Sequence, residues 1–351
     1  MKYGRAAILA IAVAAISANG TARAEAQEET TLGVILAVGD IMQCNFFRRR
    51  SVAVAELIAS ELKDLGSTPV QLILLGDIAY PSGRAQDFQC FGDNWKKVVD
   101  VELDDTNNQI LPVPGNHEYQ SDSAAPYFTF FAENAAVKAA REKASTEQVH
   151  GGNYGWYAKR FPDEADGWLL LGLNSHLPAA SARTEQFKWL KTELSSEMGS
   201  RARCVLAFWH VPVFSSGKHG HDNVAPTKPP QIMGRMKHSY GVLYRAGASV
   251  VLAGHDHDYE QFLPHTDEAR PAADGLRSFV VGTGGNYIPD QDWGRWPDIV
   301  DGPMEKKVDG VLKITLHPDS YDWRFVPVSG TPITGERAGH GVCNERKPLP
   351  E

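Results

Sequence analysis

From residue 32 onward, apolar runs of strand length alternate with stretches whose apolar residues recur at helical spacing. The run LGVILAVGD (32–40) predicts a buried strand. RRRSVAVAELIASELKDLG (48–66) repeats its apolar residues three and four apart and closes on Gly66, which predicts a helix. VQLILLGD (70–77) predicts a second strand, NWKKVVDVEL (94–103) a helix and QILPVPGN (109–116) a third strand. Further on come the strand GWLLLGLNS (167–175), the helix TEQFKWLKTELSSE (184–197) and the strand RCVLAFWH (203–210). GVLYRAG (241–247) reads as a helix end, followed by strands ASVVLAGHD (248–256) and RSFVVGTGG (277–285). GVLKITL (310–316) and YDWRFVPV (321–328) predict antiparallel strands, and the Pro-, Asp-, Trp- and Gly-rich stretch 286–308 a long loop. Continuous apolar strands interleaved with helices imply an α/β core covered on both faces.

The first 24 residues depart from this pattern. Lys2 and Arg5 precede an apolar run at 6–18, and Ala22 and Ala24 supply a small-residue cleavage pattern, the layout of a secretory signal peptide. The run is short for a membrane span. The expected organisation is therefore a signal peptide at 1–24 and one domain over 25–351, secreted or periplasmic. Removing Lys2, Arg5 and Arg23, with no acid among those residues, takes the formal charge from −8 to −11. A chain this acidic is a poor stable partner for nucleic acid, and no membrane association is expected once the leader is gone. An anionic substrate must then be drawn by a local positive charge. The four cysteines, Cys44, Cys90, Cys204 and Cys343, allow three pairings. Cys44 and Cys90 each follow a Gly-Asp strand end, so a bridge between them is the first expectation.

Polar residues fall at the strand ends. Asp40 closes VGD, Asp77 closes LGD, Asn116 and His117 lie in PGNHE, His210 closes FWH, and His255 and His257 lie in AGHDH. Singly, each has an ordinary explanation: a strand-end Asp caps or turns, and a lone His packs. Together they place carboxylates, an amide and imidazoles where open α/β sheets bind ligands, a donor mixture suited to two adjacent transition-metal ions. His255 and His257, at alternate positions past a strand, are expected to point the same way.

The order Asp40, Gly76-Asp77-x-x-Tyr80, Gly115-Asn116-His117-Glu118, His210 and Gly254-His255-x-His257 resembles the calcineurin-like metallophosphoesterases and, more narrowly, the purple acid phosphatases in their small single-domain form. The resemblance spans residues 32–285. The first motif, Asp40-Ile41-Met42, lacks the histidine common in the wider family, and Tyr80 takes its place as a hard anionic donor favouring Fe(III). Met42 and Ala207 depart from the usual Gly and Val of the narrower family, at positions that supply no ligand.

The resemblance implies a four-layer α/β/β/α sandwich of two mixed sheets flanked by helices. It implies a first metal held by Asp40, Asp77, Tyr80 and His257. The second is held by Asp77 as a bridge, Asn116, His210 and His255. The ions implied are Fe(III) and a divalent Fe, Zn or Mn. His117 and His219 are the implied substrate-binding and proton-donating residues; Asp258 and Glu118 are implied to orient the imidazoles. Lys218, His221, Arg84 and the run Arg48-Arg49-Arg50 read more simply as solvated positions. The implied activity is an acid phosphatase using a metal-bound hydroxide on small phosphate monoesters at acid to neutral pH. The alternative on the same scaffold is a phosphodiesterase or nucleotide pyrophosphatase.

Overall fold

The computed structural model describes residues 29–44, 47–103, 109–135, 137–138, 155–163, 167–177, 180–217, 234–286, 305–306, 308–330 and 337–349. The segment 1–24 expected to be a leader therefore lies outside the described residues, as do His219, Lys218 and His221.

In chain order the strands are β1 (Gly33–Val38), β2 (Met42–Gln43), β3 (Val70–Leu74), β4 (Ala79–Tyr80) and β5 (Gln109–Pro112). They continue with β6 (Tyr157–Phe161), β7 (Trp168–Gly172), β8 (Val205–Phe208), β9 (Val250–Ala253) and β10 (Asp258–Gln261). The last are β11 (Arg277–Val281), β12 (Glu305–Lys306), β13 (Gly310–Leu316), β14 (Ser320–Pro327) and β15 (Ala338–Val342). The α-helices are α1 (Arg48–Leu65), α2 (Ala85–Phe91), α3 (Lys97–Asp100), α4 (Ala125–Phe130), α5 (Ala180–Ser195), α6 (Glu197–Arg201) and α7 (Lys237–Arg245).

Two mixed sheets pack face to face. One has the order β15-β14-β13-β1-β3-β5 and the other β12-β10-β11-β9-β8-β7-β6, with β2 and β4 forming a short separate pair. Because the strands are apolar on both faces, each sheet needs cover on both sides. Between the sheets lie Ile35, Ile73, Leu170, Phe208, Leu252 and Phe279, all essentially without solvent contact. The opposite faces of the same strands bury Leu36 and Leu72 against α1, whose Val54 and Ile58 face inward, and Leu171 and Ala207 against the side of α5 and α7. Each such fully buried aliphatic or aromatic side chain contributes roughly 1.5–3 kcal/mol. The result is the expected four-layer sandwich.

Strands β1, β3 and β5 run parallel, as do β7, β8, β9 and β11. Their carboxyl ends are stitched together across the two sheets: Gly39 N–H donates to Val281 O (2.8 Å) and Gly284 N–H to Gly39 O (2.9 Å). Both disulfides are cross-connections, Cys44–Cys90 as expected and Cys204–Cys343.

Three departures from the pattern reading have physical causes. The helical segment expected over 94–103 begins at Ala85, because Gly92-Asp93-Asn94, which reads as a turn, forms a π-helical turn instead. The loop expected over 286–308 contains β12 at its far end, paired with β10. Strand β10, DYEQ, carries no apolar run yet is fully buried, so its polar side chains gave no strand signal.

Candidate metal centre

Asp40, Asp77 and His255 all have positive φ, at 58°, 48° and 75°. Left-handed backbone costs an L-residue roughly 1–2 kcal/mol, so non-glycine examples mark places where the surrounding structure enforces a particular side-chain direction. Here the enforced direction is inward, toward the seam between the sheets. The neighbouring glycines permit the close approach. A Cβ on Gly115 would stand 2.2 Å from Asp77 Oδ1, and one on Gly76 (φ 84°) would stand 2.7 Å from His210 Nδ1.

Two groups of donor atoms meet on Asp77. In the first, the Tyr80 hydroxyl lies 2.9 Å from Asp40 Oδ1, 3.1 Å from Asp77 Oδ2 and 3.2 Å from His257 Nε2. His257 Nε2 is also 3.3 Å from Asp40 Oδ1. In the second, His210 Nε2 lies 3.0 Å from Asn116 Oδ1, 3.2 Å from His255 Nδ1 and 3.2 Å from Asp77 Oδ2. His255 and His257 therefore face different partners, contrary to the expectation that they point the same way: His255 turns through its positive φ and is not part of a strand.

The protonation logic explains why these atoms need a cation. His210 Nδ1 faces the Leu75 carbonyl at 2.7 Å and must carry its hydrogen there. A neutral His210 then presents an Nε2 lone pair to the acceptor oxygens of Asn116 and Asp77. Something positive must sit between them, a proton or a metal ion. Without a metal, Asp77 and Asp40 hold the proton on His210, pushing it up to about 9 against the opposing effect of burial. Asp77 is held well below the usual carboxylate range: its burial works the other way, but His210, His117 and His255 more than compensate. In the first group one phenolic hydrogen faces two carboxylate oxygens, Asp40 Oδ1 and Asp77 Oδ2, and can satisfy only one. Burial, Asp40 and Asp77 push the phenol pKa of Tyr80 well up, with the Asn286 side chain, also hydrogen-bonded to the phenol, pulling it back. Hard oxygens and imidazoles converging with too few hydrogens fit a pair of transition-metal ions. Asp77, His210 and His255 by themselves bring their ligand atoms within 4.8 Å of one another.

Glu118 does not orient an imidazole. Its Oε2 accepts from the N–H groups of Asp77 (2.9 Å) and Gly115 (2.7 Å), and its Oε1 from those of Ile78 (2.9 Å) and Ala79 (3.2 Å). One buried carboxylate thus fixes the backbone of two strand-end loops. Burial and the Asp77 charge push it up to about 7, with the N–H donors of Gly115 and Ala79 opposing.

His117 is half-buried beside the centre. Its N–H donates to Asp77 Oδ1 at 2.8 Å, its ring packs 4.3 Å from that of Tyr80, and its Nδ1 faces the Pro81 carbonyl. That carbonyl fixes the hydrogen on Nδ1 and leaves Nε2 toward the centre, 3.8 Å from Asp77 Oδ2. Arg84 is half-exposed and pairs with Asp87. Arg50 forms a two-pronged ion pair with Asp309, 2.7 Å on each arm, and so is engaged away from the centre.

Sequence reasoning passed over several neighbours. Asn174, Ser175 and His176 follow β7, and Val211 N–H, next to His210, donates to Ser175 Oγ (3.0 Å). The His176 ring stands 6.1 Å from that of His210, and burial together with the His210 charge lowers its pKa to about 4. Behind the His255 loop, the Ser215 hydroxyl faces both Asp256 Oδ2 and, at 2.8 Å, Glu260 Oε1. One hydroxyl hydrogen cannot serve both, and burial beside Asp256 pushes Glu260 up to about 7. Asn286 was signalled only by its place after the Gly-Gly that ends a strand run.

The sequence model of the family described as calcineurin-like phosphoesterase matches residues 33–259, every residue of the constellation from Asp40 to His257. Purple acid phosphatase 18 of Arabidopsis thaliana is 24% identical over 215 residues, 61% of this chain and 43% of that protein. Purple acid phosphatase 21 of the same plant is 25% identical over 216 residues, with the same shares. The chain thus spans less than half the length of these relatives. Among solved structures, purple acid phosphatase PPD1 from yellow lupin (Lupinus luteus) seeds matches with a TM-score of 0.61 at 14% identity, over 87% of this chain and 53% of that one. GAP50, described as the anchor in the inner membrane complex of Plasmodium, matches with a TM-score of 0.57 at 13% identity, over 90% and 89%. At such identities these structures speak for the fold alone.

Proposed function

Because the chain belongs to the calcineurin-like phosphoesterase family, we propose that it is an acid phosphatase, a binuclear-metal hydrolase cleaving phosphate monoesters at acid to neutral pH. The observation that carries this reading is Asp77 Oδ2, 3.1 Å from the Tyr80 hydroxyl and 3.2 Å from His210 Nε2: one carboxylate oxygen shared by two donor groups. The fold does not carry it, since a protein described as an anchor has the same fold.

In this reading Asp40, Asp77, Tyr80 and His257 hold one cation, and Asp77, Asn116, His210 and His255 the other. The phenolate favours Fe(III) at the first position; the second takes divalent Fe, Zn or Mn. Bound there, the two ions supply Lewis acidity and a nucleophile available at mild pH. The chain's own part is positioning and proton transfer. Asp77 spans the two groups, and Glu118 holds the loops that carry Asp77 and Asn116. Neutral Asn116 adds a donor without adding negative charge. His117, its Nδ1 hydrogen committed to Pro81, receives or returns a proton only at Nε2. Protonated, it donates to a phosphate oxygen or to the departing alkoxide. His219 keeps its proposed substrate role by resemblance only.

The two disulfides suit an oxidising compartment and support export to the exterior or periplasm. No helix among the described residues is long and apolar enough to cross a membrane.

The test is hydrolysis of p-nitrophenyl phosphate beside bis-p-nitrophenyl phosphate, with His117→Asn as the variant. The monoester should be the better substrate. The variant should lose about 10²–10⁴ in kcat at unchanged metal content. A preference for the diester would favour the phosphodiesterase alternative.

A further inference from the structure

A cavity of about 440 Å³ has Asn174, Ser175, Arg183, Arg235 and His238 among its lining residues. That volume lies within the range of small-molecule sites. Its inner wall is one residue from the chemistry. Ser175 Oγ accepts from Val211 N–H, adjacent to His210, and Asn174 Nδ2 donates to the Tyr119 hydroxyl (2.7 Å), two residues from His117. Its outer wall carries two guanidinium groups brought together on one acceptor: Arg183 Nη1 lies 3.2 Å, and Arg235 Nη1 3.4 Å, from the Leu177 carbonyl. Two like charges on one neutral oxygen repel each other. Among the described residues no carboxylate forms an ion pair with either. A planar fork with donors to spare matches the oxygens of a phosphate group.

We propose that this cavity is the leaving-group site and that Arg183 and Arg235 select phosphate monoesters whose alcohol carries a second phosphate. The inference rests on the phosphatase reading above and names its substrate class. The scissile phosphate occupies the metal centre, the carbon skeleton fills the cavity, and the second phosphate meets the two arginines. In a protein of net charge −8, such a pair offers compensating positive charge to the anionic alcohol end of the substrate.

Two measurements test it. The first compares kcat/KM for a hexose 1,6-bisphosphate and the matching hexose 6-phosphate, in the wild type and in Arg183→Gln, Arg235→Gln and the double variant. The ratio of the two values should favour the bisphosphate and fall about 10-fold for each single change and about 100-fold for the double. Arg→Lys at either position, which keeps the charge and loses the fork, should give an intermediate ratio. The second measurement is calorimetric titration of metal-depleted protein with the bisphosphate, where the double variant should bind at least about 10-fold more weakly. An unchanged ratio in an enzyme that turns over the monophosphate overturns the cavity assignment alone. Arginine-dependent binding without any phosphomonoester turnover overturns the phosphatase reading and leaves the phosphate site standing. Equal binding by wild type and double variant overturns the arginine site.

Discussion

Asp77 and His210 face each other across the seam between the two sheets, Oδ2 to Nε2 at 3.2 Å. Asp77 follows β3 in one sheet and His210 follows β8 in the other, so their meeting is a product of the sandwich and not of local sequence. Asp77→Asn keeps the shape and removes the charge that both donor groups share. Elemental analysis should find both metals depleted together. Loss of one metal with retention of the other would mean that Asp77 does not span the centre.

Tyr80 supplies the only phenol among the residues grouped here, 2.9 Å from Asp40 Oδ1. A phenolate on Fe(III) absorbs visible light, so the purified protein should be violet to pink. Tyr80→Phe should abolish the visible band while far-ultraviolet circular dichroism stays unchanged. An iron-containing wild type without that band contradicts the assignment of Tyr80.

Glu118 tests the backbone scaffold separately from the donors. Glu118→Gln keeps one acceptor oxygen and turns an NH₂ group toward two N–H donors. Each of those two buried N–H groups costs about 1–3 kcal/mol, and a lower melting temperature should follow. Metal affinity should drop about 10–100-fold, as it does when supporting residues are lost. A variant with wild-type stability and metal affinity would show that the four contacts hold nothing in place.

His265 contributes to acid sensitivity away from the centre. It is fully buried, its ring 5.3 Å from that of Phe214, and burial lowers its pKa to about 4, with the Arg277 charge acting in the same direction. Between about pH 4 and the ordinary value near 6.5 the unfolded chain binds a proton that the folded chain refuses. Stability is therefore lost as the pH falls through that window, by about 3 kcal/mol at its foot. His265→Asn should flatten the fall in melting temperature between pH 6.5 and 4. Parallel curves for the two proteins would contradict this.

Most of the centre was legible because each donor closes an apolar run: Asp40, Asp77, Asn116, His210, His255 and His257 announce themselves at strand ends. What periodicity could not give is direction. The positive φ of His255 turns its ring toward His210 while His257 faces Tyr80, and no alternation rule anticipates that. Glu118 was expected to orient an imidazole, whereas its actual hold on four N–H groups depends on two loops meeting in space. Asn174 and Arg235, 61 residues apart in the chain, became one cavity only through the packing of α5 against α7. Strand β10 was hidden because only Tyr259 of its four residues joins the apolar core, while Glu260 is buried against the Ser215 hydroxyl and the Ser216 N–H.

The most direct test of the central claim is the metal content of folded, catalytically active protein, measured by elemental analysis against protein concentration. Two metal ions per chain, at least one of them iron, is the predicted result. Active protein holding a single ion or none would contradict a centre in which Asp77 serves two cations.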